Sequence, residues 1–162
     1  MIRRATPADI PSIIELERAC ATAAHWTEPQ YQQMFLPEEG DPQRLVLVAD
    51  GLPEERPGSG AEDNSTPVLG FLVAHHVAPE WELENIVVAP TARRTGLGKR
   101  LLDALLTQAH ETNSDAVFLD VRESNIAARS FYEKTGFQRA GCRKSYYTNP
   151  REDAVLYRLT LG

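Results

Sequence analysis

Two closely spaced glycines lie where a predicted strand gives way to a predicted helix. The stretch NIVVAPTARRTGLGK occupies residues 85–99, and Gly96 and Gly98 are separated by one residue. Glycine lets the backbone pass close to a bulky anion, and the free N–H groups of a helix's first turn point at such a ligand. The basic residues at the same end of the helix are Arg93, Arg94, Lys99 and Arg100. The spacing indicates a phosphate or pyrophosphate site, and the alternative is a tight turn that uses glycine only for its geometry.

The same segment differs from two common nucleotide-binding motifs. A dinucleotide-binding G-x-G-x-x-G would need a third glycine at position 101, where Leu101 stands. The Walker motif G-x-x-x-x-G-K-[ST] is also missing. The candidate anion site therefore has the pattern of neither a Rossmann site nor a P-loop.

From residue 85 onward the sequence resembles the GNAT superfamily of N-acetyltransferases. The pattern Arg93-x-x-Gly96-x-Gly98 after the strand NIVV is similar to the family's acetyl-CoA pyrophosphate loop. Further matching stretches are LDVR at 119–122, SN at 124–125, AA at 127–128, FYEKTGF at 131–137, RKSYY at 143–147 and EDA at 152–154. Together they most resemble the RimI branch, bacterial enzymes that acetylate the N-terminal alanine of a small-subunit ribosomal protein. The match is strong over 85–162 and thinner before it.

The resemblance implies acetyl-CoA as the cosubstrate and no metal. It assigns pantetheine binding and polarisation of the thioester carbonyl to backbone amides of the fourth strand, with the Val87 amide stabilising the oxyanion. It assigns the pyrophosphate to the loop and the helix start, and the cofactor arm to Asn125. The implied cofactor-binding residues are Ile86, Val87, Val88, Arg93, Arg94, Thr95, Gly96, Leu97, Gly98, Lys99 and Asn125.

The resemblance also implies direct attack of an acceptor amine on the thioester in a ternary complex. Tyr132 matches the family's tyrosine that protonates the departing thiolate, and the proton acceptor twelve residues earlier is Asp120, where RimI-type enzymes have glutamate. The shorter side chain falls about 1.5 Å short, and a base needs hydrogen-bond reach or one bridging water. The demand is modest, because an α-amine with a pKa near 7.7–8.0 is partly neutral at pH 7. Glu84 on the fourth strand and an ordered water remain alternative proton acceptors.

The implied acceptor is the N-terminal amine of a protein or peptide, such as a ribosomal protein. Trp26, Tyr146 and Tyr147 either pack in the core or form walls of the acceptor groove. Two other functions stay open, acetylation of a small amine (a polyamine, an amino acid or an aminoglycoside) and non-catalytic binding of acyl-CoA. Tyr132 argues against a pure binding module, which needs no acid for a thiolate.

The elements that must position these residues follow from periodicity and capping. Strand patterns cover about 2–5, 45–49, 68–77, 83–88, 116–121, 139–147 and 153–161, and helical patterns cover about 6–23, 27–35, 95–113 and 124–134. The order β-α-α-β-β-β-α-β-α-β-β predicts a mixed α/β (α+β) domain. The GNAT resemblance implies a mostly antiparallel sheet of six to seven strands flanked by four helices. We expect one domain over 1–162, with the polar, acidic segment 50–67 as a flexible insert within a hairpin.

Composition narrows the function classes further. The net charge of −6, from 17 basic and 23 acidic residues, argues against a protein that grips nucleic acid or an anionic membrane. Residues 90–162 are nevertheless basic, with 12 bases and 8 acids, which fits an anionic ligand. No apolar run approaches the ~18 residues of a membrane span, and the four histidines show no metal-ligand spacing. Cys20 and Cys142 are expected to be reduced thiols of a cytoplasmic protein.

Overall fold

A computed structural model of the chain describes residues 1–20, 26–36, 44–51 and 67–161. Within them the elements follow the predicted order. They are β1 (Ile2–Arg4), α1 (Ile10–Arg18), α2 (Glu28–Met34), β2 (Arg44–Asp50), β3 (Val68–Val77), β4 (Glu80–Val88), α3 (Leu97–Glu111), β5 (Ala116–Arg122), α4 (Ile126–Lys134), β6 (Gln138–Tyr147) and β7 (Glu152–Thr160). Most of the predicted insert, residues 52–66, lies outside the described residues. Its two ends meet, since the Gly51 N–H donates to the Pro67 carbonyl at 2.7 Å.

The seven strands form one sheet in the order β1-β2-β3-β4-β5-β7-β6. Strand β1 pairs antiparallel with β2, and β7 pairs antiparallel with both β5 and β6. Strands β4 and β5 are parallel, and their register covers only Glu80–Glu82 opposite Ala116–Phe118. The predicted mixed, mostly antiparallel sheet with four helices is therefore confirmed. The short parallel register matters for the site, because β4 continues to Val88 beyond it.

Two element boundaries differ from the predicted ones for local reasons. Strand β4 begins at Glu80, three residues before its predicted start, because exposed and buried side chains already alternate from there. The glutamates at 80, 82 and 84 interrupt the apolar residues of this segment, so a search for apolar runs does not detect the start of the strand. Helix α3 begins at Leu97 instead of Thr95, because Arg94 and Gly96 have left-handed φ angles of 62° and 81°.

Contacts divide the chain into two units, of which the first comprises residues 1–37, 45–73 and 85–102. Helices α1 and α2 supply apolar side chains to its core together with β2, β3 and β4. The buried members of this core cluster are Ile10, Ile13, Tyr31, Val46, Val48, Phe71, Val73 and Val87. Near the start of the chain Arg3 joins Asp9 at 2.8 Å and Asp50 at 2.7 Å. This ion-pair network holds β1 and the turn before α1 to the end of β2.

The second unit comprises residues 38–44, 74–84 and 103–162. Its core is formed by β5, β7 and the second half of α3, with Leu105, Leu119 and Tyr157 among the fully buried side chains. The Tyr157 hydroxyl donates to Glu133 Oε1 at 2.7 Å and accepts from Arg129 Nε at 3.2 Å, so β7 is tied to α4. In the described part of the chain, no helix has the length and apolar character to cross a membrane.

Candidate active site

The loop between β4 and α3 has an open glycine at the start of the helix. Gly96 has a φ of 81°, and a Cβ added there would meet no atom of the described protein within 4 Å. The Thr95 hydroxyl donates to the Ala92 carbonyl at 2.5 Å, and the Arg100 N–H donates to the Gly96 carbonyl at 3.1 Å. The first N–H groups of a helix have no intrahelical acceptor, so this turn presents donors beside open space. The geometry is that of an anion-binding helix start.

Side chains around this loop divide into an exposed basic set and one buried residue. Arg93, Arg94, Lys99 and Arg100 are all exposed. Leu97, by contrast, is buried at 5% exposure. Leu97 can therefore contact a ligand only through its backbone N–H, and its side chain serves the packing of α3. The resemblance includes Leu97 among the cofactor-binding residues and does not separate its backbone N–H from its side chain.

Gly70 on β3 is a structural residue that the motif search missed. A Cβ at Gly70 would lie 2.9 Å from the Val87 carbonyl oxygen, 3.3 Å from Leu101 Cδ1 and 3.5 Å from Leu97 Cδ2. Only glycine lets β3, β4 and the first turn of α3 come together at this distance. The signal was present as an isolated glycine inside the apolar strand VLGFLV, a position that often marks a close backbone approach.

In the second unit, two of the proposed proton acceptors carry cationic partners. Asp120 on β5 accepts a hydrogen bond from Arg143 Nε at 3.1 Å. Glu84 on β4 accepts one from Arg44 Nη2 at 3.3 Å, and His75 Nδ1 lies 3.4 Å from the same carboxylate oxygen. Each carboxylate is thus held in a defined orientation and is partly neutralised.

Glu82 is a third carboxylate of this region, and the sequence analysis did not name it. Burial raises the pKa of Glu82, and the charges of Glu84 and Asp120 raise it further, whereas His75 and Arg143 lower it. Among the described residues Glu82 forms no hydrogen bond or ion pair. A signal did exist in the run EWELE, because residues 80, 82 and 84 share one face of a strand.

His75 also takes part in a close group that its sequence position did not predict. One ligand-type atom from each of His75, Glu82 and Glu84 lies within 4.8 Å of the others. The sequence shows no metal-ligand spacing for His75 or the other histidines. In the structure His75 is a neighbour of two carboxylates, and a proton can be shared among the three groups.

Tyr132 lies on α4 with 7% exposure, surrounded by the rings of Phe131, Phe137 and Tyr157 at 5.4–6.3 Å. Burial, followed by the charge of Tyr147, raises the pKa of Tyr132. Its phenol therefore stays protonated at neutral pH, as a proton donor must. Asn125 begins the same helix, and its Oδ1 accepts from the Ala128 N–H at 3.2 Å. The side-chain amide nitrogen of Asn125 is then the group that would contact a cofactor.

The three predicted acceptor residues have different environments. Trp26 packs against the core cluster, and its ring centroid lies 5.6 Å from that of Tyr31, which favours the core alternative for this residue. Tyr146 is 50% exposed, and its ring meets that of Tyr147 edge-on at 5.1 Å. Tyr147 is half-buried, and the Arg122 guanidinium lies 4.4 Å from its ring centroid. Tyr146 and Tyr147 thus form an aromatic pair with one exposed ring.

Comparisons with known proteins agree on one family. The model of the acetyltransferase (GNAT) family matches residues 10–137. A ribosomal protein bS18-alanine N-acetyltransferase from Haemophilus influenzae is 42% identical over 92 residues, which cover 55% of this chain and 62% of that protein. The enzyme of the same name from Salmonella typhimurium is 37% identical over 157 residues, 95% of this chain and 93% of the relative. The crystal structure of the ribosomal-protein-S18-alanine N-acetyltransferase from Escherichia coli has a TM-score of 0.73 at 27% identity and covers 100% of this chain and 94% of that one.

Proposed function

Because the chain belongs to the acetyltransferase (GNAT) family, we propose that it transfers the acetyl group of acetyl-CoA to the N-terminal α-amine of a protein. The favoured acceptor is a ribosomal protein, because the relatives with the longest matches carry that activity in their names. The alignment with the Haemophilus influenzae relative covers 62% of that protein, which is less than two thirds of its length. We therefore propose the ribosomal-protein acceptor for this chain and do not take it over from the relative. We place the reaction in the cytoplasm, where the cysteine side chains Cys20 and Cys142 stay reduced.

The observation that carries the proposal is the open glycine at the start of α3. Acetyl-CoA supplies an activated acyl thioester and a pyrophosphate, and the loop suits the pyrophosphate. Gly96 leaves space free beside the first turn of α3, whose N–H groups can donate to an anion, and four exposed cationic residues lie at this end of the helix. The backbone of Ile86–Val88 would bind the pantetheine arm, since the register of β4 with β5 ends at Glu82.

Tyr132 would protonate the departing thiolate. A donor for this step must be protonated before the reaction. Burial favours the protonated phenol, because it raises the pKa of Tyr132, of which only 7% is exposed. Tyrosine is among the residues that act as positioned acids in enzymes.

The carboxylates of the second unit would take the proton of the acceptor amine. The amine arrives largely as an ammonium ion at pH 7, and three nearby acidic groups attract a cation. Asp120 and Glu84 are ion-paired with Arg143 and Arg44, and both remain proposed acceptors of the proton. Burial and the charges of Glu84 and Asp120 raise the pKa of Glu82, which makes it a third proposed acceptor of the proton.

Intact-mass measurement of acetylation over an acceptor panel tests this function. The panel contains peptides beginning with Ala, Ser and Met, an Nα-blocked peptide with a free lysine, a polyamine and an aminoglycoside. We expect +42 Da on the unblocked peptides, with alanine fastest, and Tyr132→Phe as the slow control. Modification of the small amines alone would replace the proposal with small-molecule acetylation. Acetyl-CoA binding without any product would leave a binding module.

A further inference from the structure

The pairing of β6 with β7 is irregular near the tip of the hairpin that joins them. The register shifts between Arg143 and Tyr147, because Arg143 faces Ala154 whereas Tyr147 faces Glu152. Four steps along β6 thus correspond to two steps along β7, and the ladder is interrupted beside the tip. Strand β6 is also the last strand of the sheet, so only β7 pairs with it. The aromatic pair Tyr146–Tyr147 sits at the end of this interrupted ladder.

Arg122, the last residue of β5, contacts the tip at several points. Its Nη1 donates to the Pro150 carbonyl at 3.0 Å, and its Nη2 donates to the Thr148 carbonyl at 3.2 Å. Its guanidinium also lies 3.6 Å from Glu152 Oε1 and 4.4 Å from the Tyr147 ring centroid. A planar fork of donors can serve two carbonyls and an aromatic face at once, which an ammonium cannot.

These contacts fix Tyr147 next to the proposed catalytic groups. Burial raises the pKa of Tyr147 to about 12, with the charge of Asp120 as the next cause and Arg122 acting in the opposite direction. The charge of Tyr147 is in turn felt at Tyr132. The strands place these groups in one neighbourhood: Asp120 and Arg122 lie two residues apart on one face of β5, and Arg143, which donates to Asp120 at 3.1 Å, lies on β6 with Tyr147.

We propose that Arg122 is a positioning residue for the acceptor: it clamps the Thr148–Arg151 turn through two carbonyls and so sets the position of Tyr147, one of the proposed walls of the acceptor groove. The inference rests on the proposed transfer to an amine. It does not require that the amine belong to a protein. In this role Arg122 acts by positioning the turn, because it contacts neither the thioester nor the amine.

The test compares Arg122→Met, Arg122→Lys and Arg151→Met by steady-state kinetics and acetyl-CoA calorimetry. Arg151 is exposed in the same turn, so Arg151→Met removes the same charge without removing the clamp. We expect Arg122→Met to raise the acceptor KM about tenfold or more, since a misplaced contact is costly, while the acetyl-CoA Kd stays within about twofold. Arg122→Lys should fail to rescue it, and Arg151→Met should match wild type.

Hydrogen exchange over residues 144–152 adds a readout that does not depend on turnover. Faster exchange in Arg122→Met but not in Arg151→Met supports the clamp. An unchanged acceptor KM in a folded Arg122 variant overturns the inference, and so does full rescue by lysine. If Arg122→Met does not fold, Arg122→Lys decides by the same two measurements. If wild type acetylates only small amines, the protein acceptor is wrong, and the same KM comparison on that amine still decides the role of Arg122.

Discussion

Replacing Gly70 with alanine tests whether close packing of β3, β4 and α3 shapes the cofactor loop. The new Cβ would lie 2.9 Å from the Val87 carbonyl oxygen, and Leu101 Cδ1 at 3.3 Å and Leu97 Cδ2 at 3.5 Å block its retreat. The closest atom belongs to the backbone, so strand β4 must move by a few tenths of an ångström. Overpacking of this kind costs about 1–3 kcal/mol, and alanine returns about 0.5–1 kcal/mol through lower backbone entropy. We expect a net loss of about 0–2.5 kcal/mol in the free energy of unfolding.

The same displacement should weaken acetyl-CoA binding, because Val87 and Leu97 belong to the proposed cofactor segment. Urea denaturation measures the free energy of unfolding, and calorimetry measures the acetyl-CoA Kd. Gly141→Ala is the matched control, since its Cβ would meet Leu156 at an ordinary 3.7 Å. The control should be neutral or slightly stabilising. A Gly70→Ala variant with wild-type stability and wild-type acetyl-CoA affinity would refute the packing argument.

Four further substitutions test the loop, the proton chemistry and the first-unit ion pairs. Gly96→Val should abolish acetyl-CoA binding measured by calorimetry, because its side chain enters the open space and its φ of 81° is strained for valine; unchanged affinity would remove the loop from the site. Tyr132→Phe should lower kcat about 10²–10³-fold with little change in acetyl-CoA Kd. Asp120→Asn should lose about tenfold, with a deficit that shrinks above pH ~8 as the α-amine deprotonates unaided, and a pH–rate profile parallel to wild type would exclude Asp120. Arg3 holds the pKa of Asp9 below its usual 3.8, so this pair stabilises the fold above that pH and the contribution is lost as acid protonates Asp9. Arg3→Met should therefore cost about 1 kcal/mol at pH 7 and flatten the acid limb of a stability–pH curve, whereas an unchanged acid limb would contradict the assignment.

Local signals predicted most of the fold because they are written in short stretches of sequence. The helix predicted over 27–35 begins with a capping box written in four consecutive residues, in which the Thr27 N–H donates to Gln30 Oε1 at 2.7 Å. In α3 the residues Leu97, Leu101, Leu105 and Ala109 repeat every four positions, and all four are buried. The start of β4 was missed for a physical reason. Its glutamates occupy the polar face of a period-2 pattern, and a search for apolar runs does not detect such a face.

The candidate site was predictable where chemistry depends on neighbours in sequence. The loop from Arg93 to Lys99 is one such segment, because strand, glycine, charge and helix start are contiguous. Contacts between distant segments were not predictable in this way. The approach of Gly70 to Val87 and the hold of Arg122 on the Thr148–Arg151 turn both depend on how strands are ordered in the sheet. Periodicity and capping contain no information about either pairing.

The aspartate at position 120 illustrates how a group of residues can replace one long side chain. Considered alone, Asp120 lacks a methylene that the family's glutamate supplies, and its reach toward an amine is shorter. In the structure its charge acts together with those of Glu82 and Glu84. Protons on interacting carboxylates belong to the group, and the site with the most raised pKa holds them first. In the proposed mechanism a proton released near Asp120 would be shared with its carboxylate neighbours, and the shorter reach of Asp120 would matter less than it does for an isolated carboxylate.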